Sequence, residues 1–168
     1  MNKNDLRFQK TEIAIKEAYL SLKKHGSTNV KVTELCEVAM INKTTFYSHY
    51  ETIEFLHKKI CVEFVSAMLK KCEEIYQSPY DIRTLIYTLL DAFMENMATI
   101  EKLYGEDLFS LVNDVENVLM EEYMSGIDED FELTIRFCIG GAFRLLVFER
   151  DLLRVQKTVE LVERVLYQ

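Results

Sequence analysis

Between positions 43 and 49 the chain reads Lys-Thr-Thr-Phe-Tyr-Ser-His. The hydrogen-bonding side chains of Thr44, Thr45, Tyr47, Ser48 and His49 stand beside the cation Lys43, with no acid among them. A solvated surface helix usually mixes acids in, whereas a segment that lies in a groove lined with phosphates avoids them. The chemistry is that of recognition. Signals for catalysis are missing: the sequence has no GxSxG, HExxH or glycine-rich loop. His57 and Cys61 lie four apart, on one face of a helix, as half of a metal site. A closed zinc site needs two more ligands, which the neighbouring sequence does not supply. Cys61 and Cys72, with Met68 between them, read as a core stripe. Asp128-Glu129-Asp130 suits the positive end of a helix dipole. The expectation is therefore a chain that is not an enzyme, with no catalytic residue, metal or cofactor.

These side chains need elements to hold them. A first helix reads from about Lys10 to His25, with Ala14, Ile15, Ala18, Tyr19 and Leu22 on one stripe and Gly26 as its C-terminal cap. Thr33 reads as the N-cap of a brief second helix ending near Val38 or Ala39, whose inward face is Leu35, Cys36 and Ala39. A tight turn at Met40-Ile41-Asn42 leads to a third helix, Lys43 to Tyr50, capped by Asn42. Phe46 and Tyr50, four apart, face inward, while Tyr47 and His49 project elsewhere. Two short helices across a three-residue turn, braced by the first, make a helix-turn-helix. Thr52 caps a long fourth helix to about Tyr76, and further helices fall near 81–97, 99–104, 107–124, 129–149 and 154–167, broken at Gly105 and Ser125-Gly126.

Composition agrees. One Pro and five Gly are too few for a turn-rich sandwich or barrel, so the expected fold class is all-α, with about nine helices. A three-helix DNA-binding unit would occupy residues 1–52 and a helical bundle residues 53–168. Residues 1–59 hold 10 Lys and Arg against 7 acids, and residues 60–168 hold 10 against 21. A basic head on an acidic body means that only the head approaches a polyanion. No apolar run reaches the ~18 residues of a membrane span. The polar start and the scattered Cys36, Cys61, Cys72 and Cys138 favour reduced thiols in a cytoplasmic protein without a signal peptide.

The stretches Thr33-Glu34-Leu35-Cys36-Glu37-Val38-Ala39 and Ile41-Asn42-Lys43-Thr44-Thr45-Phe46-Tyr47-Ser48-His49-Tyr50, with Gly26 before them, resemble the DNA-binding head of the TetR/AcrR transcriptional regulators. The likeness spans about residues 10–60. It implies a homodimeric repressor that leaves a double-stranded DNA operator when a small-molecule effector binds the bundle. By the same resemblance Thr33 would cap its helix and touch a phosphate. Lys43, Thr44 and Thr45 would enter the major groove, and Tyr47 and His49 would bond the DNA backbone. Two positions depart from the family: Met40 stands where Gly is common, and Ile53 where a phosphate-binding Lys is usual. Arg7 and Lys10, with Lys3, could supply charge from an N-terminal arm, and Lys31 from the link before Thr33.

Gly140 and Gly141 lie inside a strong helical pattern. Gly costs about 1 kcal/mol there relative to Ala, so the pair wants close approach of another helix. In the resembled family the last two helices pair with their symmetry mates. The dimer residues would be Phe137, Gly140, Gly141, Val155, Val159, Val162 and Leu166, and two heads about 34 Å apart would then meet successive major grooves. Candidates for lining an effector pocket are Phe64, Met68, Tyr87, Phe93, Met97, Tyr104, Phe109, Met120 and Tyr123. Two other readings stay open: an activator controlled by a partner protein on the bundle, and a helical interaction protein that no longer binds DNA.

Overall fold

The computed structural model describes residues 6–23, 29–70 and 82–145, together with positions 154, 157, 160, 161 and 164. Among these residues there are eight α-helices and no strand: α1 (Leu6–Leu22), α2 (Val32–Val38), α3 (Lys43–His49), α4 (Ile53–Lys70), α5 (Ile82–Glu95), α6 (Met97–Tyr104), α7 (Leu108–Val118) and α8 (Glu129–Arg144). The helix expected over 154–167 lies mostly outside the described residues. No helix among the described residues is long and apolar enough to cross a membrane.

Two compact units divide the chain, residues 1–61 with 101–106, and 62–100 with 107–168. The division falls inside α4, eight residues beyond the helix start at which the sequence reading placed it. In the first unit α1 packs on α2 and α2 on α3, over a core of Ile15, Tyr19, Leu35, Phe46, Tyr50 and Leu56. In the second, α8 packs on both α5 and α7, burying Leu89, Phe93, Leu111, Val115, Ile135 and Ile139. Arg136 of α8 ties itself to Glu132 one turn back and to Glu116 of α7.

Local chemistry explains most boundaries. Asn42 sits in extended geometry before α3, and its Oδ1 accepts hydrogen bonds from the Thr45 amide (2.7 Å) and hydroxyl (2.9 Å). Thr52 Oγ1 accepts from the Phe55 amide at the start of α4, and Asp128 caps α8 through the Asp130 and Phe131 amides. Gly105 and Gly126, both with left-handed φ, mark the two expected breaks. Beyond α7 the helix widens into one π-helical turn, Leu119–Tyr123, before ending at Met124.

Two expectations are corrected. Helix α1 begins at Leu6, so Arg7 and Lys10 are helical residues and not part of an arm; Thr11 Oγ1 already donates to the Arg7 carbonyl. Thr33 does not cap α2. The helix starts two residues earlier than a Thr33 cap would set it, at Val32, with Lys31 in the cap position and no side-chain cap bond, which leaves Thr33 exposed in the first turn. Ile53, where the family's Lys would stand, is buried and belongs to the core.

The turn between α2 and α3 is built on an unusual residue. The Ile41 amide donates to Cys36 O and the Met40 amide to Glu37 O, the paired bonds of a Schellman C-cap. That motif needs a left-handed residue at position 40, and Met40 has φ +53°. A side chain there costs about 1–2 kcal/mol that glycine avoids. Met40 is also 92% exposed, so its removal loses no packing. Met40→Gly is therefore expected to stabilise the protein by about 0.5–1 kcal/mol after glycine's greater chain entropy is subtracted. Urea unfolding checks it, with Met40→Ala, which keeps the Cβ, giving no such gain.

Candidate nucleic-acid interface

Helix α3 is seven residues long, far too short to be stable alone. It is fixed from beneath by Phe46 and Tyr50, both buried, with ring centroids 6.0 Å apart. Anchoring the inner face leaves Lys43, Thr44, Tyr47 and Ser48 exposed and Thr45 half-buried. Tyr47 is 56% exposed, yet its ring stands edge-on to Phe46 at 5.3 Å, which limits where its hydroxyl points. Ser48 and Thr45 spend their hydroxyl protons inside the unit, on Thr45 O and on Asn42. Thr44 and Lys43 are exposed at the start of α3, on a helix that carries no acid. Spacing of three and four brings Thr44, Tyr47 and Ser48 onto one side of α3.

His49 sits differently from its neighbours. Its ring stacks on Phe8 of α1 at 3.8 Å, and its Nδ1 is buried without a hydrogen-bond partner. Burial, and secondarily the Lys59 charge, push its basicity below the ordinary histidine value, although Glu12 pulls the other way. His49 therefore stands neutral at pH 7 and packs against α1 as much as it faces outward.

Glu12 is the residue that joins the three helices. Its Oε1 accepts from Lys16 on the same helix (3.2 Å), from the Tyr50 hydroxyl (3.1 Å) and from Lys59 of α4. Burial alone would raise this carboxyl. The hydrogen bonds and charges of Lys59 and Lys16 outweigh burial and bring it to about 2. Sequence reading missed this hub. The Glu12–Lys16 spacing was a visible signal for half of it, but the Tyr50 and Lys59 contacts depend on the fold.

In the second unit, α8 leaves an apolar stripe uncovered by the described residues. Phe137 is 77% exposed, Leu133 one turn before it is exposed, and Gly141 lies one turn after. A Cβ added at Gly141 would meet nothing within 4 Å, and one at Gly140 would meet only Glu116 Oε1 at 3.7 Å. Packing among the described residues thus does not require either glycine. Val155, Val159, Val162 and Leu166 lie outside the described residues.

The expected pocket residues differ in burial. Met68, Phe93 and Met120 are buried, and Phe64, Tyr87 and Tyr123 half-buried. Tyr104 is buried but belongs to the first unit. Phe109 is 81% exposed because it falls off the Leu111–Val115–Val118 stripe that α7 buries, and Met97 is also exposed. Neither Phe109 nor Met97 is buried by the described residues. An open groove of about 460 Å³ runs between α4 and the π turn, lined by Glu63, Ser66, Ala67, Lys70, Glu122 and Tyr123. Of the expected pocket residues it contains Tyr123. No group of three or more potential metal ligands occurs among the described residues.

No family model matches the chain, and a search of curated proteins returns no match. Among solved structures, the chain is similar to a TetR transcriptional regulator from Streptococcus agalactiae 2603V. The identity is 24%, 93% of each chain is covered, and the TM-score is 0.57. At that coverage the likeness takes in both the helix-turn-helix unit and the bundle, and the chain has the fold of a TetR transcriptional regulator.

Proposed function

We propose that this protein is a DNA-binding transcriptional regulator of the TetR type, a homodimeric repressor that leaves its operator when a small molecule binds the bundle. The observation that carries this reading is the outward face of α3. It is acid-free, capped by Asn42 and pinned by Phe46 and Tyr50, and it presents Lys43, Thr44 and Tyr47. Lys43 and Thr44 at the helix start suit base edges and neighbouring phosphates, and the Tyr47 hydroxyl suits a phosphate oxygen. Thr33, exposed in the first turn of α2, suits a phosphate as well, and Thr45 contributes through the geometry it shares with Asn42. His49 acts chiefly by packing on Phe8 and needs no charge to do so. The uncovered Leu133–Phe137–Gly141 stripe supports two-fold pairing through α8.

Regulation would be a population shift. An effector that binds better to the form with misplaced recognition helices lowers operator affinity by its difference in affinity for the two forms. The buried Met68, Phe93 and Met120, with half-buried Phe64, Tyr87 and Tyr123, are the residues of the second unit from which such a site would be made.

Selection of bound sequences from random duplex DNA tests the reading, repeated with Lys43→Ala and Tyr47→Ala. Both side chains are exposed, so neither variant is expected to unfold. An enriched palindrome is expected, with affinity reduced about ten-fold or more in each variant. A true binder tightens steeply as salt falls. Failure to enrich any sequence at low salt overturns the DNA-binding assignment in favour of a helical interaction protein.

A further inference from the structure

Lys23 is the buried charged residue among those described, only 2% exposed at the end of α1. Its Nζ donates to the carbonyl of Leu103, in the last turn of α6, which belongs to the same unit. It also lies 3.2 Å from a ring nitrogen of His57, and that ring in turn lies 3.6 Å from Cys61 Sγ. The Tyr19 ring lies 5.8 Å from Nζ. Among the described residues no carboxylate forms an ion pair with Lys23. A buried ammonium needs a counter-charge or must give up its proton.

Few groups here can supply that charge. Tyr19 stays protonated: burial, then the Cys61 and Glu54 charges, push its phenol up to about 12. Glu54 is exposed in the first turn of α4. Among the described residues, Cys61, itself buried, is an acid beside the His57 ring. Burial lowers the Lys23 ammonium, and the Cys61 charge acts in the opposite direction. By the same interaction the ammonium favours the Cys61 thiolate. Cys36 and Cys138 have the contrary setting, since burial pushes both thiols up, with Lys43 acting against it at Cys36.

We propose that Cys61 is a reactive thiolate site, held beside the buried Lys23 ammonium by His57, and that a small peroxide oxidises it ahead of Cys36 and Cys138. The sulfur attacks the hydroxyl-bearing oxygen of the peroxide. The S–O bond forms as the O–O bond breaks, and the leaving oxygen takes a proton from solvent. The thiolate becomes a sulfenic acid, oxidised by two electrons, and the peroxide is reduced by two. Peroxide is the fitting oxidant because a buried sulfur admits only a small reagent. Nothing in this pairing depends on DNA, so it stands or falls separately from operator binding.

The experiment treats the full chain with hydrogen peroxide over a range of pH, quenches with catalase, denatures, and alkylates the remaining thiols. Mass spectrometry then gives the rate at each cysteine. Cys61 is expected to react about ten-fold or more faster than Cys36 and Cys138, with a midpoint below the ordinary thiol value of about 8.5. A wild-type Cys61 no faster than the other two, or a midpoint above that value, overturns the site. Lys23→Gln is expected to slow Cys61 about ten-fold. If that variant keeps the wild-type helical circular dichroism and still oxidises at the wild-type rate, the pairing is wrong. Should it lose its helical signal, the wild-type pH profile decides alone.

Discussion

Phe46→Ala is expected to cost about 3–5 kcal/mol, enough to melt the head of a protein of ordinary stability. Phe46 is fully buried, 0% exposed, at the middle of a seven-residue helix. Such a helix has no stability of its own, so α3 exists only because its inner face is held. Removing the ring leaves a cavity beside Tyr50 and frees Tyr47, whose edge now rests on Phe46. DNA binding should vanish together with the fold. Lys43→Ala would instead weaken binding about ten-fold or more while leaving the unfolding midpoint in place, and the two variants thus separate reading from scaffolding. Urea unfolding followed by circular dichroism is the measurement. Phe46→Leu, which keeps most of the volume, should lose less than about 1.5 kcal/mol. An unchanged midpoint for Phe46→Ala would mean that the ring is not what pins the recognition helix.

Phe137→Glu carries the second large effect. Phe137 and Leu133 present an apolar stripe on α8, and both glycines beyond them leave room for a closer approach than the described residues use. In a two-fold interface each residue is buried twice. Glutamate at 137 would therefore bury two carboxylates without partners, at several kcal/mol each. Light scattering should find the wild type dimeric and Phe137→Glu monomeric at the same micromolar concentration. Operator affinity should drop with it, since a single head makes half the contacts. A variant that stays dimeric would move the interface off α8, and a monomeric wild type would remove the dimer from the proposal.

Local rules of sequence reached a good part of this fold. The four-residue spacing of Phe46 and Tyr50, the Asn42 and Thr52 caps, and the breaks at Gly105 and Gly126 were all legible because each depends on residues within one turn of one another. Position 40 was legible as an oddity, and its positive φ shows the physical reason: a Schellman turn was made without glycine. Thr33 was misplaced because a good cap residue need not be used when Val32 can start the helix two residues sooner. The start of α1 was set too late, since exposed Leu6 and Ile13 blur the apolar stripe that marked its face. Phe109 shows the same weakness in the bundle. Residue type suggested a pocket, while register puts the ring outside. Lys23, Glu12 and the Phe8–His49 stack stayed hidden for another reason. Each is a contact between distant parts of the chain, and lysine in particular reads as a surface residue until its partners are known.

The Glu12 carboxylate has a mechanical meaning. One oxygen atom gathers donors from α1, from the residue that ends α3, and from α4. Three elements sharing one acceptor cannot slide past each other without breaking a bond at that point. The reading helix is therefore not a finger that flexes on its own. It travels as part of a solid block with α1 and the start of α4, and its aim changes only when the block turns. In the proposed dimer, control over where the block points would be control over whether two such blocks fit the spacing of a duplex. A turn of the whole block, with the side chains of α3 left as they are, would then be enough to change that fit.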